Sequence, residues 1–254
     1  MSGAPRHVLD PWTDLRALTG ARIALGRAGG SLPTAELLGF SAAHAAARDA
    51  VWADLDLDRL EADVAALDLP VLRLRSLAPD RATYLRRPDL GRRLDEASAA
   101  RVRQTAPPGG CDVAVIVGDG LSSTAAQAHA AALACALVAG LRARGLRPGP
   151  LALVRQARVA VADPIGEALG ARAAVILLGE RPGLGCADGL GAYLVFGPRP
   201  GRTDAERNCV SNVRPGGLGV PAAAELLGWL IGEALRRGLS GVGLKDERGL
   251  LDGG

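Results

Sequence analysis

The stretch "DVAVIVGDG", Asp112 to Gly120, decides the fold. Val113 to Val117 is an unbroken apolar run, rich in β-branched side chains, that ends in Gly118 and Gly120 and passes into an Ala/Leu-rich segment from Ser122 to Arg144. An apolar run without alternation reads as a strand buried on both faces, and a strand, a turn and a long helix make a crossover unit. Ser122, Ser123 and Thr124 are available to cap that helix, and Thr124 with Gln127 matches the capping-box spacing.

Toward the C-terminus the pattern repeats. "LALVRQ" from Leu151 reads as a strand, and "DPIGEALG" as a short helix with Pro164 in its first turn and Gly170 past its end. "AAVILL", Ala173 to Leu178, and "LGAYLVFG", Leu190 to Gly197, are further strands, and a last helix spans Pro221 to Arg237. The tail "KDERGLLDGG" from Lys245 is expected to be mobile. Continuous apolar strands alternating with helices predict a parallel sheet covered on both faces.

Toward the N-terminus apolar residues fall at helical spacing from Pro11 to Leu25 and from Leu32 to Trp52 (Leu37, Leu38, Ala42, Ala45, Ala46, Val51), with Thr34 as an expected N-cap. A third helix is expected from Asp58 to Leu67, and "VLRLRS", Val71 to Ser76, alternates like a half-exposed strand. "YLRRPDLGRRL", Tyr84 to Leu94, is broken at Pro88 and Gly91 before a further helix. "TAPPGG", Thr105 to Gly110, has the composition of a connector. The predicted class is α/β: a Rossmann-like, mostly parallel sheet with helices on both faces, preceded by a mainly helical N-terminal domain. The expected division is residues 1–104, a linker at 105–110, and the sheet domain at 111–254.

Composition excludes several roles. With 254 residues and 48% hydrophobic content the chain can bury a large core. A net charge of +3, from 30 basic residues interleaved with 27 acidic ones, does not single out nucleic acid as a partner, and 3% aromatic content leaves little for base stacking. Every basic residue except Lys245 is arginine, whose fork suits carboxylates and phosphates. Cys111, Cys135, Cys186 and Cys209 have neither zinc nor disulfide spacing, so a reducing compartment is expected. Cys111 and Cys135 read as small buried hydrophobes. No signal peptide opens the chain and "AAALACALVAG", Ala130 to Gly140, is short for a bilayer, which predicts a cytoplasmic protein.

In an open α/β sheet ligands bind beyond the carboxyl ends of the strands, which directs attention to "GDGLSST", to "ARVAVAD" after the Leu151 strand, and to "GERPGLG", Gly179 to Gly185. Ser123 stands where the third glycine of G-x-G-x-x-G should be, and Gly183-Leu184-Gly185 meets Asp188 there, so no dinucleotide fingerprint is present. A P-loop is excluded, since the single lysine is Lys245. Gly118 and Gly120 otherwise serve only the turn, with Asp119 a polar loop residue; Glu180 with Arg181 otherwise forms only a surface ion pair. His7, in an N-terminal segment expected to be mobile, and His44 and His129, in Ala-rich helices, all fall outside these loops and suggest no triad. Cys209, expected on a loop, lacks a neighbouring base and reads as a contact residue.

Five segments in this order, "YLRRPDLGRRL", "VIVGDGLSS", "DPIGEALGA", "VILLGERPGLG" and "NCVSNVRPGG", resemble the small (light) subunit of ethanolamine ammonia-lyase, over a span from Leu15 to Leu235. "GERPGLG" upstream of "CVSN" is the most specific pair. The resemblance implies a carbon–nitrogen lyase, active only as a complex, that converts ethanolamine to acetaldehyde and ammonia by adenosylcobalamin radical chemistry. It implies a TIM-barrel large subunit that holds the substrate, and a Rossmann-like domain on this chain that binds adenosylcobalamin between the two subunits. Cofactor contacts then fall on Val159, Glu180 and Cys209, with no catalytic residue and no metal ligand on this chain. No D-x-H-x-x-G motif surrounds any histidine, so the cofactor should keep its benzimidazole on cobalt. A corrin edge bears neutral amides and the nucleotide loop one phosphate. Glu180 suits an amide or hydroxyl donor, and Pro182 shapes its loop. The helical front and "YLRRPDLGRRL" are expected to dock on the large subunit, the alternative being a helical cap on this chain's own sheet.

The sequence departs from the family pattern in places. Asn208 stands where threonine is expected and Pro164 where a polar residue is. Longer members carry an N-terminal extension linked with packaging into bacterial microcompartments, so packaging of this chain stays open. Two competing readings are a nicotinamide-dependent oxidoreductase with an irregular glycine loop, and a non-catalytic corrinoid carrier.

Overall fold

The computed structural model describes residues 7–248. A six-stranded sheet is built from β1 (Val71–Arg75), β2 (Cys111–Gly118), β3 (Leu151–Arg155), β4 (Ala171–Gly179), β5 (Leu190–Phe196) and β6 (Arg207–Val213), in the order β1-β3-β2-β4-β5-β6. Around it lie α1 (Thr34–Trp52), α2 (Leu57–Val64), α3 (Arg81–Arg86), α4 (Glu96–Thr105), α5 (Ser123–Ala143, with a π turn at Ala126–Ala130), α6 (Ala162–Ala168) and α7 (Val220–Arg237).

The Val113–Val117 run is the spine of the core. Along β2 successive side chains alternate between faces, so Val113, Val115 and Val117 pack with α2, α5 and α7, while Ala114 and Ile116 pack with α4 and α6. All five are fully buried, which is why no polar residue interrupts them. Each large aliphatic side chain buried in this way contributes about 1.5–3 kcal/mol.

The α/β class holds, but the sheet is mixed. The strands β1, β3, β2 and β4 are mutually parallel, whereas β5 runs antiparallel to β4 and β6 antiparallel to β5. The physical reason is loop length: a parallel return needs a crossover of a dozen or more residues, and neither residues 180–189 nor 197–206 carry a covering helix. Residues Arg207–Val213, where a loop is expected around Cys209, form strand β6, its polar Ser211 and Asn212 being exposed at the sheet edge.

The sheet also begins earlier than the expected linker. Val71–Arg75, upstream of residues 105–110, is its edge strand and pairs in parallel register with β3, Val71 opposite Leu151. Thr105 is itself the last residue of α4.

Several local expectations change. Over residues 11–25 only a 3-10 turn, Thr13–Leu18, forms, and none of its side chains is buried to sustain a longer helix. His7 pairs with Ala28 in a two-residue ladder. Thr34 is the first residue of α1, after Pro33, and makes no cap. Ser122, not Thr124, caps α5 by accepting from the Ala125 N–H at 3.1 Å, and Gln127 uses its Oε1 on the Asp56 N–H at 2.9 Å. Helix α5 is longer than its small-apolar stretch and is long and apolar enough to cross a membrane, but its inner side chains pack into the sheet's core. Of the C-terminal tail, residues 245–248 are described and carry the Arg237–Glu247 ion pair; the remainder lies outside the described residues.

Candidate functional site

The carboxyl ends of β2, β3 and β4 meet at one end of the sheet, and the loops that leave them are held by a single buried carboxylate. Asp119 accepts hydrogen bonds from the Gln156 N–H (2.7 Å) and the Ala157 N–H (2.8 Å), and its Oδ2 lies 3.4 Å from Arg81 Nη1. Gln156 is thereby kept at φ +58°, a left-handed conformation that costs a non-glycine residue about 1–3 kcal/mol. Burial pushes the Asp119 carboxyl up, against the pull of Arg81 and the two N–H groups. Arg81 in turn donates to the Gly120 carbonyl (2.9 Å) and to the Val51 carbonyl at the end of α1 (2.7 Å).

The glycines of this loop answer to packing. Gly120 lies at φ +59°, and a Cβ there would run into the Gly179 carbonyl; one on Gly179 would run into the Ser122 carbonyl. The two strand-end loops therefore touch backbone to backbone, and neither glycine is reserved for a phosphate.

Tyr84 closes the floor. Its hydroxyl donates to the Ala157 carbonyl at 2.8 Å, and its ring is flanked by the guanidinium carbons of Arg81 at 4.7 Å and Arg158 at 4.3 Å. Burial drives the tyrosine hydroxyl well above its ordinary range. Gly91 allows this stacking, since a Cβ there would lie 2.7 Å from Arg158 Cγ. The segment "YLRRPDLGRRL" thus packs onto the strand ends.

Above this frame opens a cleft of about 290 Å³, bordered by Gly120, Val159, Gly179, Glu180, Arg181 and Tyr193 among others. Val159, at the start of a 3-10 turn after β3, and Glu180, immediately after β4, face the same cleft. The Glu180 carboxylate receives the Asn212 N–H at 3.4 Å, and no ion pair joins it to Arg181 among the described residues. Gly191 makes room for it: a Cβ there would lie 2.9 Å from Glu180 Oε1.

Cys209 is placed differently from the expectation. It sits inside strand β6, opposite Tyr193 on β5, rather than on a loop at a strand end. Tyr193 lines the cleft, whereas the exposed Cys209 is outside that lining and borders a separate recess with Val210 and Leu244. Burial of part of the side chain pushes the thiol up. Asn208 points to the opposite face, where it binds the Leu244 carbonyl at 2.8 Å and the Gly241 N–H at 2.8 Å. Its identity therefore bears on the C-terminal segment and not on the cleft. Beside Pro164, Asp163 makes a buried two-pronged ion pair with Arg207 (2.9 and 2.6 Å), clamping α6 to β6.

His129 approaches a strand-end loop after all, its Nε2 3.6 Å from Asp188 Oδ2. Among the described residues no group of three or more His, Cys, Asp or Glu side chains could hold a metal ion. The residues missed in the sequence are Asp119, Arg81 and Tyr84; the signal available was an acidic residue between two glycines at the end of a buried strand.

A family model described as ethanolamine ammonia-lyase light chain matches residues 9–245. Among curated relatives, the ethanolamine ammonia-lyase small subunit of Ralstonia nicotianae is 55% identical over 249 residues, covering 96% of this chain and 92% of the relative. That of Azotobacter vinelandii is 56% identical over 240 residues (94% and 89%), and that of Bradyrhizobium diazoefficiens 53% over 239 residues (93% and 91%). With a match over nearly its whole length and identities above one half, the chain belongs to the ethanolamine ammonia-lyase small-subunit family.

Proposed function

We propose that this chain binds adenosylcobalamin between itself and a TIM-barrel large subunit, and that the assembled enzyme converts ethanolamine to acetaldehyde and ammonia in the cytoplasm. The observation that carries this reading is the cleft that brings Val159 and Glu180 together at the ends of three strands, with Cys209 on the neighbouring edge strand opposite Tyr193 of the cleft wall. The cleft is shallow and open, so a corrin seats only one edge in it and a second surface must cover the remainder. Its donor set suits that edge: neutral amides call for carboxylate and backbone partners and little net charge.

When bound, the cofactor supplies the radical that starts the conversion; the chemistry is its own. Glu180 accepts from an amide N–H or a hydroxyl of the corrin periphery, Val159 packs against its apolar rim, and Pro182 shapes the loop that follows Glu180. The Asp119–Arg81–Tyr84 frame keeps these loops in place before the cofactor arrives, which reduces the ordering cost of binding. Helix α1 turns apolar side chains outward and offers a docking surface for the large subunit.

A nicotinamide fold is disfavoured because Asp119, in the glycine loop, is buried beneath the cleft and spent on the Gln156 and Ala157 N–H groups. The test is co-expression with the large subunit, addition of adenosylcobalamin, and assay for acetaldehyde from ethanolamine. A colourless, inactive complex would overturn the proposal.

A further inference from the structure

Beside the cleft lies a second recess, of about 430 Å³, whose walls include Pro88, Arg92, Arg158, Val159, Arg202 and Thr203. It shares Arg158 and Val159 with the cleft, so the two are neighbours across one wall. Three arginines line it against one carboxylate, that of Asp204, which is 95% exposed and 3.7 Å from Arg207 Nε.

The arginines are not equally spent. Arg202 is paired with Glu206 and donates to the Gly197 carbonyl at 2.9 Å. Arg158 and Arg92 have no carboxylate partner among the described residues. Arg158 is held against Tyr84 by its ring and by the Gly91 backbone, whose carbonyl accepts from the Arg158 N–H at 2.8 Å; its Nε is buried without a partner. One guanidinium is thus fixed at the shared wall and another stands free at the rim, and neither is used by the neutral corrin edge.

We infer that this recess takes the phosphodiester of the cofactor's nucleotide tail, an inference that rests on the cobalamin reading above. A phosphodiester presents one negative charge on two non-bridging oxygens, which matches the guanidinium fork. A tail leaving a corrin edge in the cleft crosses the Val159–Arg158 wall to reach it. The arginines of "YLRRPDLGRRL", which pack no core, then have a function through Arg92.

The experiment titrates cyanocobalamin and cyanocobinamide, which lacks the nucleotide tail and its phosphate, into the purified two-subunit complex and follows the absorbance change. Wild type is compared with Arg92→Ala and Arg92→Lys. Because the whole nucleotide is absent from cyanocobinamide with either protein, the difference between the ratios isolates the coupling of residue 92 to the tail, whose one charged group is the phosphate. Arg92→Ala should weaken cyanocobalamin about tenfold, as for a lost hydrogen bond to a charged group, and leave cyanocobinamide unchanged, while Arg92→Lys, which keeps the charge but not the fork, should restore only part of the loss. Equal losses for both ligands, no loss for either, or a complex that falls apart on size exclusion would overturn the inference. If the wild-type complex binds neither ligand, the cobalamin reading itself fails.

Discussion

Asp119 and Arg81 are paired inside the protein, Oδ2 to Nη1 at 3.4 Å, with side chains only 3% and 8% exposed. The pair joins the end of β2 to α3 and, through the Arg81 bond to Val51, to α1. A charge pair so deep stabilises only when its other polar atoms are satisfied. Asp119 meets that condition with two backbone N–H groups, and Arg81 meets it in part, its Nη2 being without a partner.

Removing the carboxylate should therefore be costly. Asp119→Ala leaves the Arg81 charge and the N–H groups of Gln156 and Ala157 buried together, and the expected loss is about 3–5 kcal/mol in denaturant unfolding. Asp119→Asn, which keeps the volume but can accept at one atom only, should lose less. A loss for Asp119→Ala below about 1 kcal/mol, the range of an exposed pair, would mean that the loops hold without it.

Glu180 should behave in the opposite way. Its carboxylate lies at the cleft and carries no core packing, so Glu180→Gln should leave the unfolding midpoint unchanged within about 0.5 kcal/mol and weaken cobalamin binding to the complex. Gly191→Ala provides an independent approach, since the new methyl would press on Glu180 Oε1 and Cγ and displace them. Unchanged cofactor affinity in both variants would remove Glu180 from the site.

A pH effect is expected beside the arginine recess. The Thr203 N–H, and then Arg202, pull the Glu206 carboxyl down to about 2 from an ordinary 4.5. A lowered carboxyl pKa favours the folded turn fully above 4.5 and loses that contribution as pH falls toward 2. Hydrogen exchange at the Thr203 amide, which donates to Glu206 at 2.7 Å, should accelerate across that window relative to neighbouring amides. Glu206→Gln should abolish the pH dependence, and a flat wild-type profile would contradict the assignment.

The parts legible in the sequence were those fixed by local pattern. Val113 to Val117 announced a strand buried on both faces, and Pro164 and Gly170 bracketed α6 closely. Strand direction was not local: nothing in "LGAYLVFG" states that it returns antiparallel, and the cue was the missing helix between residues 180 and 189. Strand β6 was hidden because its outward-facing positions, Ser211 among them, are polar on a sheet edge. At the site, Val159 and Glu180 fall where strand ends had been placed, while the weight given to Gly118 and Gly120 passed over the aspartate between them. Asp119 was obscure because its partners, Arg81, Gln156 and Ala157, are distant in sequence and meet only in the fold.

Helix α1 carries the clearest unspent surface. Of its residues only Ala50 is buried, while Leu38 is 63%, Phe40 44% and Trp52 54% exposed. A helix with so little packed against its own sheet gains stability from a partner or not at all, and large exposed apolar groups gathered on one element mark an interaction surface. Leu38→Asp should accordingly leave the unfolding of the isolated chain unchanged within about 0.5 kcal/mol, because no core contact is lost. The same substitution should weaken assembly with the large subunit by about tenfold or more, the scale of an interface anchor placed against a negative charge. Co-purification and titration of the two subunits read the effect directly. Assembly at wild-type strength would mean that α1 is a cap on this chain alone, and that the docking face lies elsewhere on the sheet domain.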